Sequence, residues 1–206
     1  LFVSAESGAD VVFLPSVTEM YPCWPDPPAT VVSVAGVSDR WEGASRPGHF
    51  DGVASVVAKL AIVTGSSRAY FGEKDFQQLA VVRRMVLDLG LDIEVVGCPI
   101  VRDDDGLALS SRNVRLDASA RARALSLSRA LATAADLGGP PSAMREAMAA
   151  TMTAAQVVVG YAEVVDPATL RPLEDDATGP ARALVAGVVD GVRLIDNREV
   201  EVRKGP

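Results

Sequence analysis

The sequence predicts an α/β chain, with a parallel sheet between helices followed by a smaller α+β domain. Three observations carry this. Between Asp10 and Cys98, short apolar or β-branched runs alternate with longer stretches of helical period. Those runs are nearly continuous in apolar residues, as strands covered on both faces require. Beyond about residue 100 the order changes to long helical stretches and then closely spaced strands. The expected domains are therefore residues 1–100 and 101–206.

Each element has a local reason. Leu1 to Ser7 reads as the tail of a helix stopped by Gly8, so the chain opens as if in the middle of a fold. Asp10–Leu14 is apolar and ends at Pro15, which suits a buried parallel strand. Ser16 to Glu19 can cap and begin a short turn, and Cys23 to Pro28 holds too many prolines to be regular. Thr30–Val37 is β-branched and predicts another strand. After a turn at Arg46–His49, Phe50–Ile62 shows Val53, Val56, Val57 and Leu60 at helical spacing. Arg68–Phe71 predicts a strand. Phe76–Leu89 predicts a helix with Leu79, Val82, Met85 and Val86 inward, Arg83 and Arg84 outward, and Gly90 as its stop. Asp92–Val96 predicts the next strand, broken by Gly97–Pro99.

The second half begins with a polar loop, Val101–Asn113. Asp117–Leu137 predicts a long helix, Gly138–Pro141 a break, and Ser142 the cap of a helix reaching Ala155. Tyr161–Val165, Ala183–Val189, Val192–Asp196 and Val200–Val202 predict short strands. Asp190-Gly191 is a hairpin turn between two of them.

Composition narrows the function. Hydrophobic residues make up 49% of the 206, enough for a sizeable core. A formal net charge of −7 argues against a general nucleic-acid or anionic-membrane surface, so neither is expected as a partner. Cys23 and Cys98 supply neither a disulfide framework nor metal-ligand spacing, which fits a reducing cytoplasm. No apolar run reaches the length of a membrane span, and the first residues do not read as a signal peptide. Asp103–Asp105 could hold Mg²⁺, but a solvated acidic turn is the better reading, and no metal site is assigned.

Gly72-Glu73-Lys74-Asp75-Phe76-Gln77-Gln78 joins an apolar run to a helical one, at what would be the C-terminal end of a strand. Ligands bind at such ends in parallel sheets. Gly lets a phosphate or a base approach the backbone. Lys supplies a point charge for phosphate oxygens. Asp caps free N–H groups or accepts from a ribose hydroxyl. On these residues alone, an ordinary helix cap with solvated Lys and Gln is the better reading. Leu109-Ser110-Ser111-Arg112 offers two hydroxyls and a guanidinium, either a serine-rich loop or a cradle for a triphosphate. His49 is the only histidine and on its own reads as structural, with Glu42 and Arg46 as a turn-fixing ion pair.

Three stretches in order change that balance. WEGASRPGHFDGVASVVAKL (41–60), AYFGEKDFQQL (69–79) and RDDDGLALSSRN (102–113) resemble the pantoate–β-alanine ligase (pantothenate synthetase) family, as does FLPSVTEMYP (13–22). The resemblance covers almost the whole chain. It implies a Rossmann-like nucleotide- and pantoate-binding domain followed by a smaller domain covering the active site. It implies ATP contacts at Gly72, Glu73, Lys74, Asp75, Val101, Leu109, Ser110, Ser111 and Arg112, and pantoate contacts at Gln78 and His49. Lys74, Ser110, Ser111 and Arg112 would carry the catalysis. Leu109 stands where the family has Met, a change that conserves volume.

The family's reaction is the ATP-dependent condensation of pantoate with β-alanine through a pantoyl adenylate, releasing pyrophosphate and then AMP. It implies Mg²⁺, a homodimer and a cytoplasmic location. One departure stands out. The family's N-terminal third carries an HxGH motif and a glycine-rich turn, and neither is written here. The chain therefore looks like the C-terminal two-thirds of such an enzyme, inactive by itself. A non-catalytic nucleotide-binding or dimerisation remnant stays open, as does an adenylate-forming enzyme for another acid.

Overall fold

A computed structural model describes residues 2–205, Phe2 by its backbone alone. The chain divides into two compact units between Val32 and Ser33. In the first, α1 spans Phe2–Glu6 and α2 spans Val17–Met20. Ser16 starts α2 with a capping box. Its hydroxyl accepts from Glu19 N at 3.3 Å, and Glu19 Oε2 accepts from Ser16 N at 2.7 Å. The strand expected at Asp10–Leu14 is absent, and Val11 and Leu14 are mostly exposed. An apolar extended run becomes a strand only where a ladder partner satisfies its backbone, and no strand lies in this unit among the described residues. The strand expected at Thr30–Val37 is absent too: residues 30–34 join no ladder, and a turn covers residues 35–37.

The second unit holds the remaining elements. α3 is Glu42–Ser45 and α4 is His49–Thr64. α4 buries Phe50, Ala54 and Ala58 most deeply rather than the expected valines, a stripe at a spacing of four that lets its neighbour approach closely. β1 (Arg68–Gly72) leads through a single 3₁₀ turn, Glu73–Asp75, into α5 (Phe76–Leu89), and the chain returns as β2 (Glu94–Cys98). β1 and β2 pair in parallel, Arg68 beside Glu94 through Gly72 beside Cys98. This is the expected parallel sheet with its crossover helix. β2 lies two residues later than the apolar run predicts because its register follows β1.

Two helices and an antiparallel sheet complete the unit. α6 is Ala118–Leu137, capped by Asp117, whose carboxylate accepts from Ala120 N at 2.7 Å. α7 is Pro141–Ala154. Ser142 is not its cap: Pro141 takes the first helical position, where its missing N–H is no loss. Asp175 caps from outside, accepting from Ser142 N at 2.8 Å and from its hydroxyl at 2.7 Å. β3 (Val158–Val165), β4 (Gly179–Val189) and β5 (Val192–Val202) form an antiparallel sheet in that order, with the expected turn at Asp190-Gly191. Two predicted strands merge into β5, because its polar middle keeps its ladder with β4: Asn197 lies beside Leu184 and Glu199 beside Arg182. The core lies between this sheet and α6 and α7. Ala124, Leu127, Leu131, Met144, Met148 and Met152 are buried there at helical spacing.

Candidate active site

Gly72 ends β1, and the 3₁₀ turn after it presents Lys74 and Asp75 at the C-terminal end of the strand. One turn of α5 further on, Gln78 faces the same way. A cavity here is lined by Lys74, Asp75 and Gln78, by Arg46 at the end of α3 and His49 at the start of α4, by Arg112, and by Tyr161 and Asp196 from the antiparallel sheet. A second, smaller cavity shares Lys74 and Asp196 and adds Ser110 and Asn113. Five of the expected residues therefore meet on one cavity, and Ser110 lies on its neighbour beside Lys74.

The others lie elsewhere. Glu73 turns away from Lys74 and accepts from buried Arg182 Nη2 at 3.1 Å. Val101 and Leu109 are exposed, and Leu109 N donates to the Val101 carbonyl at 2.9 Å, which closes the loop between them. Ser111 is exposed and opens a 3₁₀ turn, Ser111–Arg115, whose preceding residue Ser110 accepts from Arg112 N at 3.2 Å. Gly72 has an ordinary φ of −66°, and a Cβ built there would meet nothing within 4 Å. Open approach, not backbone strain, is what that position offers.

The cavity's side chains divide into two kinds. Among the described residues, Lys74, Asp75, Gln78 and Arg112 make no side-chain hydrogen bond or ion pair. Asp75 precedes α5 as its cap residue yet leaves the helix N–H groups alone. Around them, Gln77 and Glu42 line the same cavity with their polar groups matched. Gln77 is buried, accepts from Glu42 N at 3.0 Å, and donates to the carbonyls of Val37 and Arg40 at 2.9 and 2.8 Å. Glu42 is buried and pairs with Arg193, not with Arg46 as the sequence suggests. α3 can pack so closely because Gly43 has no side chain: a Cβ there would stand 1.6 Å from the Ser38 carbonyl oxygen. Asp103 and Asp105 both pair with Arg121, and Asp104 and Asp105 are exposed, so the acidic run is a solvated turn tied down by one arginine.

Two ionisable groups on the cavity are held neutral. Burial, and then the Arg46 cation, lower the His49 pKa from its ordinary value. Arg46 Nη1 donates to His49 Nε2 at 2.9 Å, which requires a neutral ring protonated at Nδ1. Burial first and the Glu42 carboxylate second push the Tyr161 phenol well above its ordinary range. Reasoning from sequence missed Gln77, Tyr161, Asp196 and Asn197. The legible signal for the last two was an Asp-Asn pair directly after the apolar Leu194-Ile195.

Fold and cavity together define a class: an α/β protein with cations and free polar groups gathered at the C-terminal end of a parallel strand, faced by an antiparallel domain. The family profile described as pantoate-beta-alanine ligase matches residues 2–199, and the chain belongs to that family. It is 51% identical over 200 residues to pantothenate synthetase of Thermus thermophilus, covering 95% of this chain and 71% of that one. It is 53% identical over 197 residues to the enzyme of Cereibacter sphaeroides, covering 94% and 69%. The crystal structure of the Thermus thermophilus enzyme superposes with a TM-score of 0.88, at 48% identity, over 96% of this chain and 72% of that one. A pantoate-beta-alanine ligase from Francisella tularensis, crystallised with β-γ ATP and β-alanine, superposes with a TM-score of 0.75 at 28% identity over 96% and 67%.

Proposed function

We propose that this site serves the ATP-dependent ligation of pantoate to β-alanine through a pantoyl adenylate. One observation carries the reading. Lys74, Asp75, Gln78, His49 and Arg112 come from three separate stretches of sequence and line one cavity. The pantoate carboxylate attacks the α-phosphorus of ATP, and pyrophosphate leaves. The β-alanine amine then attacks the acyl carbon, and AMP leaves. Lys74 and Arg112, with the hydroxyls of Ser110 and Ser111, hold the phosphate oxygens on which charge builds. Asp75 accepts from the ribose, and Gly72 and Glu73 form the backbone wall beside it. Val101 and Leu109 border the base. Gln78 and neutral His49 orient pantoate. Positioning and charge stabilisation supply most of the rate.

Mg²⁺ belongs to this reaction class, where it neutralises the pyrophosphate. Asp75 is the cavity carboxylate with no protein partner among the described residues, which fits an ion held mainly by phosphate oxygens and water. The domain division near residue 100, a homodimer and a cytoplasmic location belong to the same reading. So does inactivity of the 206 residues alone, which contain a single histidine and no HxGH.

A sulfamoyl mimic of pantoyl adenylate tests the reading without requiring turnover. Calorimetry should find it bound well over tenfold more tightly than ATP or pantoate, since it spans both subsites. Equal affinity for the mimic of another carboxylic acid would contradict the pantoate assignment. Absence of binding would contradict the site. In the companion assay for AMP release, no product is expected. Release dependent on both pantoate and β-alanine would support the ligation and overturn the expected inactivity.

A further inference from the structure

Asp196 and Asn197 are neighbours near the middle of β5, and both are buried. Polar side chains in such a place are costly unless fully matched, and these are matched to two different segments. Asn197 Nδ2 donates to the carbonyls of Glu73 and Lys74, each at 2.9 Å. Its Oδ1 accepts from Arg182 Nε at 2.8 Å, so the amide has one orientation that keeps all of its bonds. Arg182 is itself fixed by Glu73 and Glu199 and lies over the Phe76 ring at 4.1 Å.

Asp196 accepts from both terminal nitrogens of Arg102, at 2.7 and 3.0 Å. Arg102 also donates to the Gly106 carbonyl at 3.1 Å and bridges to Ala108, which fixes the loop leading into Ser110, Ser111 and Arg112. The Asn197 N–H donates to Asp196 Oδ1 at 2.8 Å and ties the two halves together.

We propose that Asp196 and Asn197 form a clamp that sets the position of Lys74 relative to Ser110–Arg112, so that both segments reach one phosphate chain. This rests on the functional reading above. Two loops from distant parts of the sequence are registered against adjacent residues of one rigid strand, and their spacing is fixed before the ligand arrives. Both are positioning residues, acting through Lys74 and through Arg102.

Calorimetric titration with ATP in double-mutant cycles tests the clamp. Asn197→Ala and Asp196→Asn should each weaken ATP binding about tenfold, the size typical of groups that orient the residues touching a ligand. In a Lys74→Ala background, Asn197→Ala should add less than about twofold, because its effect passes through Lys74. The same holds for Asp196→Asn in an Arg112→Ala background. An undiminished loss in those backgrounds would mean general loosening and would overturn the clamp. So would unchanged ATP affinity in a folded Asn197→Ala chain. Should that variant not fold, Asn197→Ser carries the same cycle. If Lys74→Ala itself leaves ATP binding intact, the functional reading falls and the clamp with it. A Lys74 effect without an Asn197 effect sinks the clamp alone.

Discussion

Gln77 and Gln78 are adjacent and chemically identical, yet they belong to two regions of opposite character. Gln77 is buried in the wall of the cavity and bonded to Val37, Arg40 and Glu42. Gln78 lines the cavity with no side-chain partner among the described residues. The same contrast separates Arg182, with three acceptors and an aromatic ring, from Arg112, with none. Buried polar groups in folded proteins are nearly always matched. The matched set therefore builds the frame, and the unmatched set is what the frame holds ready for a ligand. Substitutions in the frame should lower stability, and substitutions in the free set should lower ligand affinity alone.

The largest effect is expected at Arg182. Arg182→Met removes a nearly buried guanidinium and leaves Glu73, Glu199 and Asn197 without their donor. Breaking such a pair should lower stability by about 3 kcal/mol, read as a fall in the midpoint of urea unfolding. Gln77→Leu comes next. It strands two carbonyls and one N–H, a loss of about 2 kcal/mol, whereas Gln78→Leu should shift stability by less than about 0.5 kcal/mol. Equal losses at the two glutamines would erase the contrast. Gly43→Ala forces α3 away from Ser38 and should lower stability by about 1–2 kcal/mol in a thermal melt.

The smallest effect sharpens the boundary between the regions, at His49. Its pKa is lowered below the ordinary 6.5. Its contribution to stability is therefore complete above pH 6.5 and is lost as pH falls from there through the lowered native value. Arg46→Ala removes a nearby cation and should move the pKa upward. NMR titration of this single histidine reads the shift directly, and a downward or absent shift would deny Arg46 that role.

The residues of the free set were singled out in the sequence and those of the frame were not. Lys74, Asp75 and Gln78 stand at the join of a strand and a helix, a local pattern that by itself reads as an ordinary cap and that the family resemblance turned into a site. Gln77 is bonded to residues 35 to 40 positions away, Asn197 to residues 123 and 124 positions away, and Glu42 to one 151 positions away. No local period carries such pairs. The helices Phe76–Leu89 and Asp117–Leu137 were readable for the converse reason: their caps and apolar stripes lie within themselves. The runs at Asp10–Leu14 and Thr30–Val37 had strand composition, but composition does not supply a ladder partner.

The most direct test of the division between frame and free set pairs two measurements on Lys74→Ala: its unfolding midpoint and its affinity for ATP. The account predicts an unfolding midpoint within about 0.5 kcal/mol of the unsubstituted chain and ATP binding weakened roughly 10- to 100-fold, the worth of one charge-assisted hydrogen bond. A chain that loses stability while keeping its ATP affinity would place Lys74 in the frame and contradict the account.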